Sequence, residues 1–341
     1  GGCIDVVNSD EYKDLITVGD QTDFPATSVS GGNPDGTFGS GWFVHALDTS
    51  GSSAAVCTGD FDLDGKVDLA ACAKELLVFS NSGEFVFAEP VGYETVDGPA
   101  AILAADIDGS NGLDMVAVNQ QTPTVSVFKN KGNGEFPAVP EYAAGVSPTS
   151  ISIADFDLDG NPDLVEANYF TNTVSILRGA GSGVFQAPVN YAVGTYPLAV
   201  TIADFDGDGS MDIASSNQQS ATVSILFNDT HGAFAPAVHY PAGSGPVALC
   251  AADFDGDGSP DLATANAGGN SVSLLKNTGL GSFAAPVNYS VGVSPVSICA
   301  VDFVGDAMLD MAVANETSST ITILSNNGDG SFGLGGSISV A

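Results

Sequence analysis

Asp155-Phe-Asp-Leu-Asp-Gly-Asn-Pro-Asp163 places carboxylates at positions 1, 3, 5 and 9 of a nine-residue stretch, with glycine at position 6. The pattern returns as Asp204, Asp206, Asp208 and Asp212, as Asp253, Asp255, Asp257 and Asp261, and earlier as Asp60, Asp62, Asp64 and Asp68. Four carboxylates this close repel one another unless a cation lies among them. Oxygen donors alone make a hard ligand set, which favours Ca2+ over Zn2+ or Cu2+. Two further stretches depart from the pattern. Asp106, Asp108 and Asp114 are joined by Ser110 at position 5; Asp302, Asp306 and Asp310 are accompanied by Val304 at position 3 and Ala307 at position 6. Fewer carboxylates lower the charge of a site and with it the affinity. The expectation is therefore a weaker site at 106–114 and the weakest, or none, at 302–310.

The alternation is that of the first part of an EF-hand loop, in which alternate residues turn their oxygens to one point and glycine permits the tight turn. Three residues beyond the closing aspartate stand Ala71, Glu166, Ser215 and Thr264, so the bidentate glutamate that completes an EF-hand is not a shared feature. A solvated acidic turn is the plain alternative for one copy. Repetition at fixed spacing weighs against it.

The elements that must hold these loops follow from the repeat. Asp106, Asp155, Asp204, Asp253 and Asp302 open their loops 49 residues apart. A Gly-x-Phe landmark occurs seven times, ending at Phe38, Phe85, Phe136, Phe185, Phe234, Phe283 and Phe332. An aspartate leading into an apolar run also occurs seven times, from Asp14 to Asp310. Each unit reads as four short strands. In the fourth, 149–154 alternates with Ile151 and Ile153 on one face, and 164–167 follows the acidic loop. Residues 173–177 are rich in β-branched types, and 188–192 begins with a proline that suits an edge. Four strands per unit and seven units predict an all-β chain, a seven-bladed β-propeller of four-stranded blades forming one domain over 1–341. The N-terminal repeat, 1–53, is irregular: its acidic loop from Asp5 to Asp14 is one residue too long, and it carries the only tryptophan, Trp42, near His45. Tyr93, Tyr142, Tyr191, Tyr240 and Tyr289 keep the 49-residue period and are read as packing between blades rather than as sugar platforms.

Composition limits the partners. Seven Lys+Arg against 41 Asp+Glu give a net charge of -34, which argues against nucleic acid and anionic membranes. The six acidic loops hold 22 of the 41 acids, so much of this charge is local. No apolar run is long enough to span a bilayer. The five cysteines, Cys3, Cys57, Cys72, Cys250 and Cys299, include no CxxC pair. Cys57 and Cys72 flank the 60–68 loop; if it joins antiparallel strands, the thiols face each other and a disulfide is plausible, the alternative being two small buried apolar residues. Cys3, after Gly1-Gly2, is either a lipidation remnant or an ordinary strand residue.

Asp-Phe-Asp-Gly-Asp-Gly, then Asp-Leu-Ala-x-Ala-Asn, Val-Ser-x-Leu and Gly-x-Phe resemble the FG-GAP/VCBS repeat, from about residue 5 to the end. That family includes the seven-bladed propeller of integrin α chains and many secreted bacterial proteins. The resemblance implies that the acidic loops bind Ca2+ between the first two strands of a blade, with a backbone carbonyl at position 7 as a further ligand. It also implies an extracellular, secreted or cell-surface protein. The expected function is a non-catalytic binding or adhesion module for a glycan or an extracellular protein. The alternatives are a self-assembling structural subunit of a surface layer, filament or other extracellular assembly, and a polysaccharide-active enzyme. His45, His231 and His239 are the only histidines, and neither Gly-x-Ser-x-Gly nor His-Glu-x-x-His occurs, so no catalytic residue is assigned.

Overall fold

The computed structural model describes residues 55–339 apart from 73–74, 84–85, 96–98, 111, 138–139 and 304, and, within 1–54, the backbone of four strands. Cys3, the loop between Asp5 and Asp14, and the side chains of Trp42 and His45 lie outside the described residues. Among the described residues every regular element is a strand. Six four-stranded antiparallel sheets follow one another, at 55–94, 99–143, 148–192, 197–241, 246–290 and 295–339, each with its strands in chain order. Ile4–Val7, Asp14–Gly19, Ala26–Ser30 and Trp42–Ala46 pair in the same order into a further sheet.

The 197–241 sheet illustrates why these residues form these strands. Pro197–Ala203 pairs with Asp212–Asn217, that strand with Thr222–Leu226, and that one with Val238–Pro241. The second strand is buried along its whole length, the fourth mostly exposed. A strand covered on both faces needs no polar alternation, which is why Asp261–Asn266 reads Asp-Leu-Ala-Thr-Ala-Asn. Proline opens the first strand of five sheets (Pro99, Pro148, Pro197, Pro246 and Pro295), at an edge position where its missing N–H costs no ladder bond. In the 148–192 sheet the strands are Pro148–Ala154, Asp163–Asn168, Thr173–Leu177 and Val189–Ala192, each within a residue of the sequence expectation.

Contact density divides the chain into two compact units, one comprising Gly1–Ile153, Asn161–Glu166 and Ile176–Val189, the other Ala154–Gly160, Ala167–Ser175 and Asn190–Ala341. Inside each unit the Gly-x-Phe phenylalanine is a wedge between consecutive sheets. In the second unit Phe283 meets Phe205 edge-on at 5.7 Å and Tyr240 at 5.2 Å; Phe332 meets Phe254 at 5.4 Å and Tyr289 at 5.6 Å. In the first, Phe136 meets Phe61 at 5.8 Å and Tyr93 at 5.6 Å. The tyrosine hydroxyls donate to the carbonyls of Gly134 (3.2 Å from Tyr93), Gly183 (3.0 Å from Tyr142) and Gly281 (3.1 Å from Tyr240). The periodic tyrosines are thus packing residues. Phe61, Phe156 and Phe205 are buried to within 1%, each contributing about 2–3 kcal/mol of burial.

One expectation is corrected. The 55–94 sheet pairs Cys57 with Ala70 and Cys72 with Ala55, so the two thiols are not opposite each other. The strands meet at Gly59 and Asp68, a register that leaves Cys57 two residues short of facing Cys72. Both cysteines are buried, and burial pushes the Cys72 thiol up to about 12.

Candidate metal centres

Each acidic loop joins the first and second strands of its sheet. In the 204–212 loop the Asp204 carboxylate accepts N–H bonds from Gly207 (2.8 Å), Asp208 (3.1 Å) and Gly209 (2.9 Å), winding the chain around itself. Asp212 closes the loop: Oδ2 accepts the Phe205 N–H at 2.9 Å, and Oδ1 accepts the Asn228 N–H at 2.8 Å from the end of the third strand. Asn228 then donates through Nδ2 to the carbonyl of Phe156 in the preceding repeat, at 2.8 Å. Asn277 and Asn326 repeat this bridge to Phe205 and Phe254.

Two turn positions require left-handed backbone. Position 6 holds Gly65, Gly160, Gly209 and Gly258, with φ between 87 and 92. Position 4 holds Gly207 and Gly256 (φ 77 and 74), but also Leu63 and Leu158 (φ 62 and 59). The first requirement was legible from the glycines; the second was masked by the two leucines.

This winding gathers the carboxylates at positions 1, 3 and 9. One oxygen from each residue lies within 4.8 Å of the others in Asp60/Asp62/Asp68 and Asp106/Asp108/Asp114 of the first unit, and in Asp204/Asp206/Asp212 and Asp253/Asp255/Asp261 of the second. The 155–163 loop is divided between the units, Asp155 and Asp157 falling in the second and Asp163 in the first. There Asp155 accepts N–H bonds from Asp159 (3.1 Å) and Gly160 (2.8 Å), as Asp204 does from its counterparts. Position 5 lies outside these triads. Oδ1 of Asp64, Asp208 and Asp257 accepts the position-7 N–H of Lys66 (2.9 Å), Ser210 (2.8 Å) and Ser259 (2.8 Å). Asp159 and Ser110 occupy the same position in their loops. The 302–310 loop keeps the winding without forming a carboxylate triad among the described residues.

The electrostatics favour a cation. Burial pushes Asp212 up to about 7 and Asp261 up to about 6, and raises Asp68, Asp114 and Asp206 as well, against the lowering effect of the N–H bonds they accept. Asp255 pairs with Lys276 through Oδ2 at 3.3 Å, yet its buried Oδ1 has no hydrogen-bond partner. Lys129 stands 3.9 Å from Asp108 in the equivalent arrangement, while Phe227 replaces the lysine beside Asp206. Three converging oxygens, half-buried charge and an orphaned carboxylate oxygen fit a hard divalent ion. Glu166, the one glutamate three residues past a closing aspartate, is buried within the Asp163–Asn168 strand and accepts the Gly145 N–H.

Comparison with known proteins places this geometry. Four overlapping segments, 110–166, 155–215, 204–264 and 253–313, match the FG-GAP-like repeat and together cover more than half of the chain. Among curated proteins none matches in sequence. Of the solved structures, the periplasmic gluconolactonase PpgL of Pseudomonas aeruginosa is similar with a TM-score of 0.72 at 15% identity, over 96% of this chain and 96% of that one. A protein from Lactobacillus plantarum gives 0.67 at 16% identity over 95% and 96%, and BBS1N in complex with ARL6DN gives 0.58 at 14% over 84% and 81%. These neighbours establish a propeller-like all-β fold and carry no activity across at such identities.

Proposed function

The chain belongs to the FG-GAP-like repeat family, and from this premise we propose that it is an extracellular, calcium-binding, seven-bladed β-propeller serving as a non-catalytic binding module for a glycan or a protein ligand. The observation that carries the reading is the recurrence of one carboxylate triad in loop after loop, with the buried, unpartnered Oδ1 of Asp255 in one of them. The carboxylates at positions 1, 3 and 9 would hold the ion, and the position-7 carbonyl would complete the set. Bound Ca2+ supplies charge neutralisation and ties the first strand of a blade to the second. In this reading the further sheet at the N-terminal end counts as the seventh blade beside the six at 55–339. Calcium sites of extracellular modules work at roughly 10⁻⁴ to 10⁻³ M, which suits a secreted or surface protein.

A ligand that binds only the folded state raises its stability with concentration. The melting temperature is therefore expected to rise with added Ca2+ and to fall in chelator; a melt indifferent to both rejects calcium binding by these loops. The binding role is tested separately, on arrays of immobilised glycans and extracellular matrix proteins with Ca2+ and with chelator. Saturable binding to a defined ligand supports it, and silence on both arrays rejects it.

A further inference from the structure

At the end of each sheet opposite the acidic loop lie the turn between the second and third strands and the link into the next sheet. Most repeats use small or polar residues there: Gln120-Gln121, Gln218-Gln219, Ala267-Gly268 and Glu316-Thr317 in the turn, and Ser147, Gly245 and Ser294 before the opening proline. One repeat departs from this, with Tyr169-Phe170 in the turn and Tyr196 in the link that follows. Tyr169 and Tyr196 stack with centroids 4.5 Å apart and planes 21° apart, and Phe170 meets Tyr169 edge-on at 5.0 Å. Phe170 is 67% exposed.

Two features make this more than a stray apolar patch. Tyr196 has φ 58, at the position where other repeats place Ser147, Ser294 or Gly245. A bulky residue in left-handed backbone is strained, and such strain persists where the surroundings hold it. Here they do. The Tyr196 N–H donates to Asn172 Oδ1 at 2.9 Å, the Gln218 N–H to the Tyr196 carbonyl at 2.9 Å, and the Thr195 N–H to Ser220 Oγ at 3.1 Å. The rings therefore sit on two loops tied to each other and braced by a third. Second, the segments 167–173, 193–197 and 217–222 contain no charged residue, in a chain with 41 acids. What they offer is aromatic faces rimmed by amides and hydroxyls.

We infer that Tyr169, Phe170 and Tyr196 form a binding platform for a neutral polysaccharide, a pyranose ring lying on the exposed aromatic surface. This rests on the binding-module reading above and gives it a ligand class and a place. A sugar presents a C–H face that packs on an aromatic ring and hydroxyls that exchange hydrogen bonds with amide and hydroxyl groups. An anionic glycan would meet no cation in these loops and would approach a chain of net charge -34.

The test is native electrophoresis of the full chain, with Ca2+ present, through gels containing dextran, galactomannan, xyloglucan or laminarin. At least one polysaccharide is expected to retard the wild type, and Phe170→Ala to weaken that binding about tenfold, the equivalent of losing one aromatic contact. Because Phe170 is exposed, this variant should melt as the wild type does; Gln120→Ala, in the corresponding turn of another repeat, should leave retardation intact. Retardation unchanged by Phe170→Ala overturns the platform while leaving a glycan-binding module standing. No retardation of the wild type in any of the four gels overturns the platform too, and leaves the calcium melt and the protein array as the measure of the broader reading.

Discussion

The loops at 204–212 and 302–310 share one scaffold but not one site. In both, the opening aspartate accepts the N–H groups of positions 4, 5 and 6: 2.8, 3.1 and 2.9 Å at Asp204, and 2.7, 3.2 and 2.9 Å at Asp302. The closing aspartate accepts the N–H of position 2 and that of an asparagine, Asn228 just past the third strand in one and Asn326 at its end in the other. Ala307 even takes the left-handed backbone that glycine takes at 209. Among the described residues only the first of these two loops gathers three carboxylates. Positions 1 and 9 therefore have a structural duty that outlasts the site, and position 3 decides whether a cation can be held.

The comparison can be broken in five ways, of decreasing effect. Asp212→Ala and Asp310→Ala should each cost on the order of 3 kcal/mol in chelator, since each strands two N–H groups that a buried carboxylate had satisfied. Denaturant midpoints read this, and a negligible cost at 310 would break the shared-scaffold idea. Asp206→Ala should weaken calcium binding by its loop about tenfold with little loss of stability in chelator, whereas Asp306→Ala changes calcium binding least. Val304→Asp should add one bound ion per chain in calorimetric titration, and an unchanged stoichiometry would show that position 3 is not the deciding residue.

Acidity gives a further test. Asp212 and Asp261 are pushed up to about 7 and about 6 by burial, above their unfolded value of 3.8. A raised carboxyl stabilises the fold below its unfolded pKa and loses that contribution as pH climbs through the folded one. In chelator the melting temperature should thus fall as pH rises from about 4 to about 7, and the gain from added Ca2+ should grow over the same interval as the ion replaces the protons. A calcium gain that shrinks with pH would overturn this. The smallest effect is expected at Lys276, which shares Asp255 with the proposed ion from a partly exposed position. Lys276→Met should tighten calcium binding a few-fold at low salt and less at high salt, as the removed competitor is a screened surface charge.

Much of this was open to inspection in the chain itself. The 49-residue period, the four strands per unit and the ends of the 148–192 strands followed from apolar patterning and proline placement, which act over a few residues. The acidic loops were visible because alternate carboxylates bracketing a glycine suit few other purposes. Less visible was which carboxylates gather: positions 1, 3 and 9 come together and position 5 stays outside the triad, a choice set by the winding of the loop.

The sequence by itself determined the repeat, the strands and the donor set, since each rests on local spacing and on the side-chain alternation of a β-strand. Only the tertiary structure decided that Cys57 and Cys72 miss each other, because strand register is fixed by where two strands meet rather than by symmetry about a loop. It alone stacked Tyr169 on Tyr196 and set Asn228 against the carbonyl of Phe156, partners 27 and 72 residues apart in the chain. Contacts of that reach come from one repeat packing on the next, and no pattern inside a single repeat specifies them.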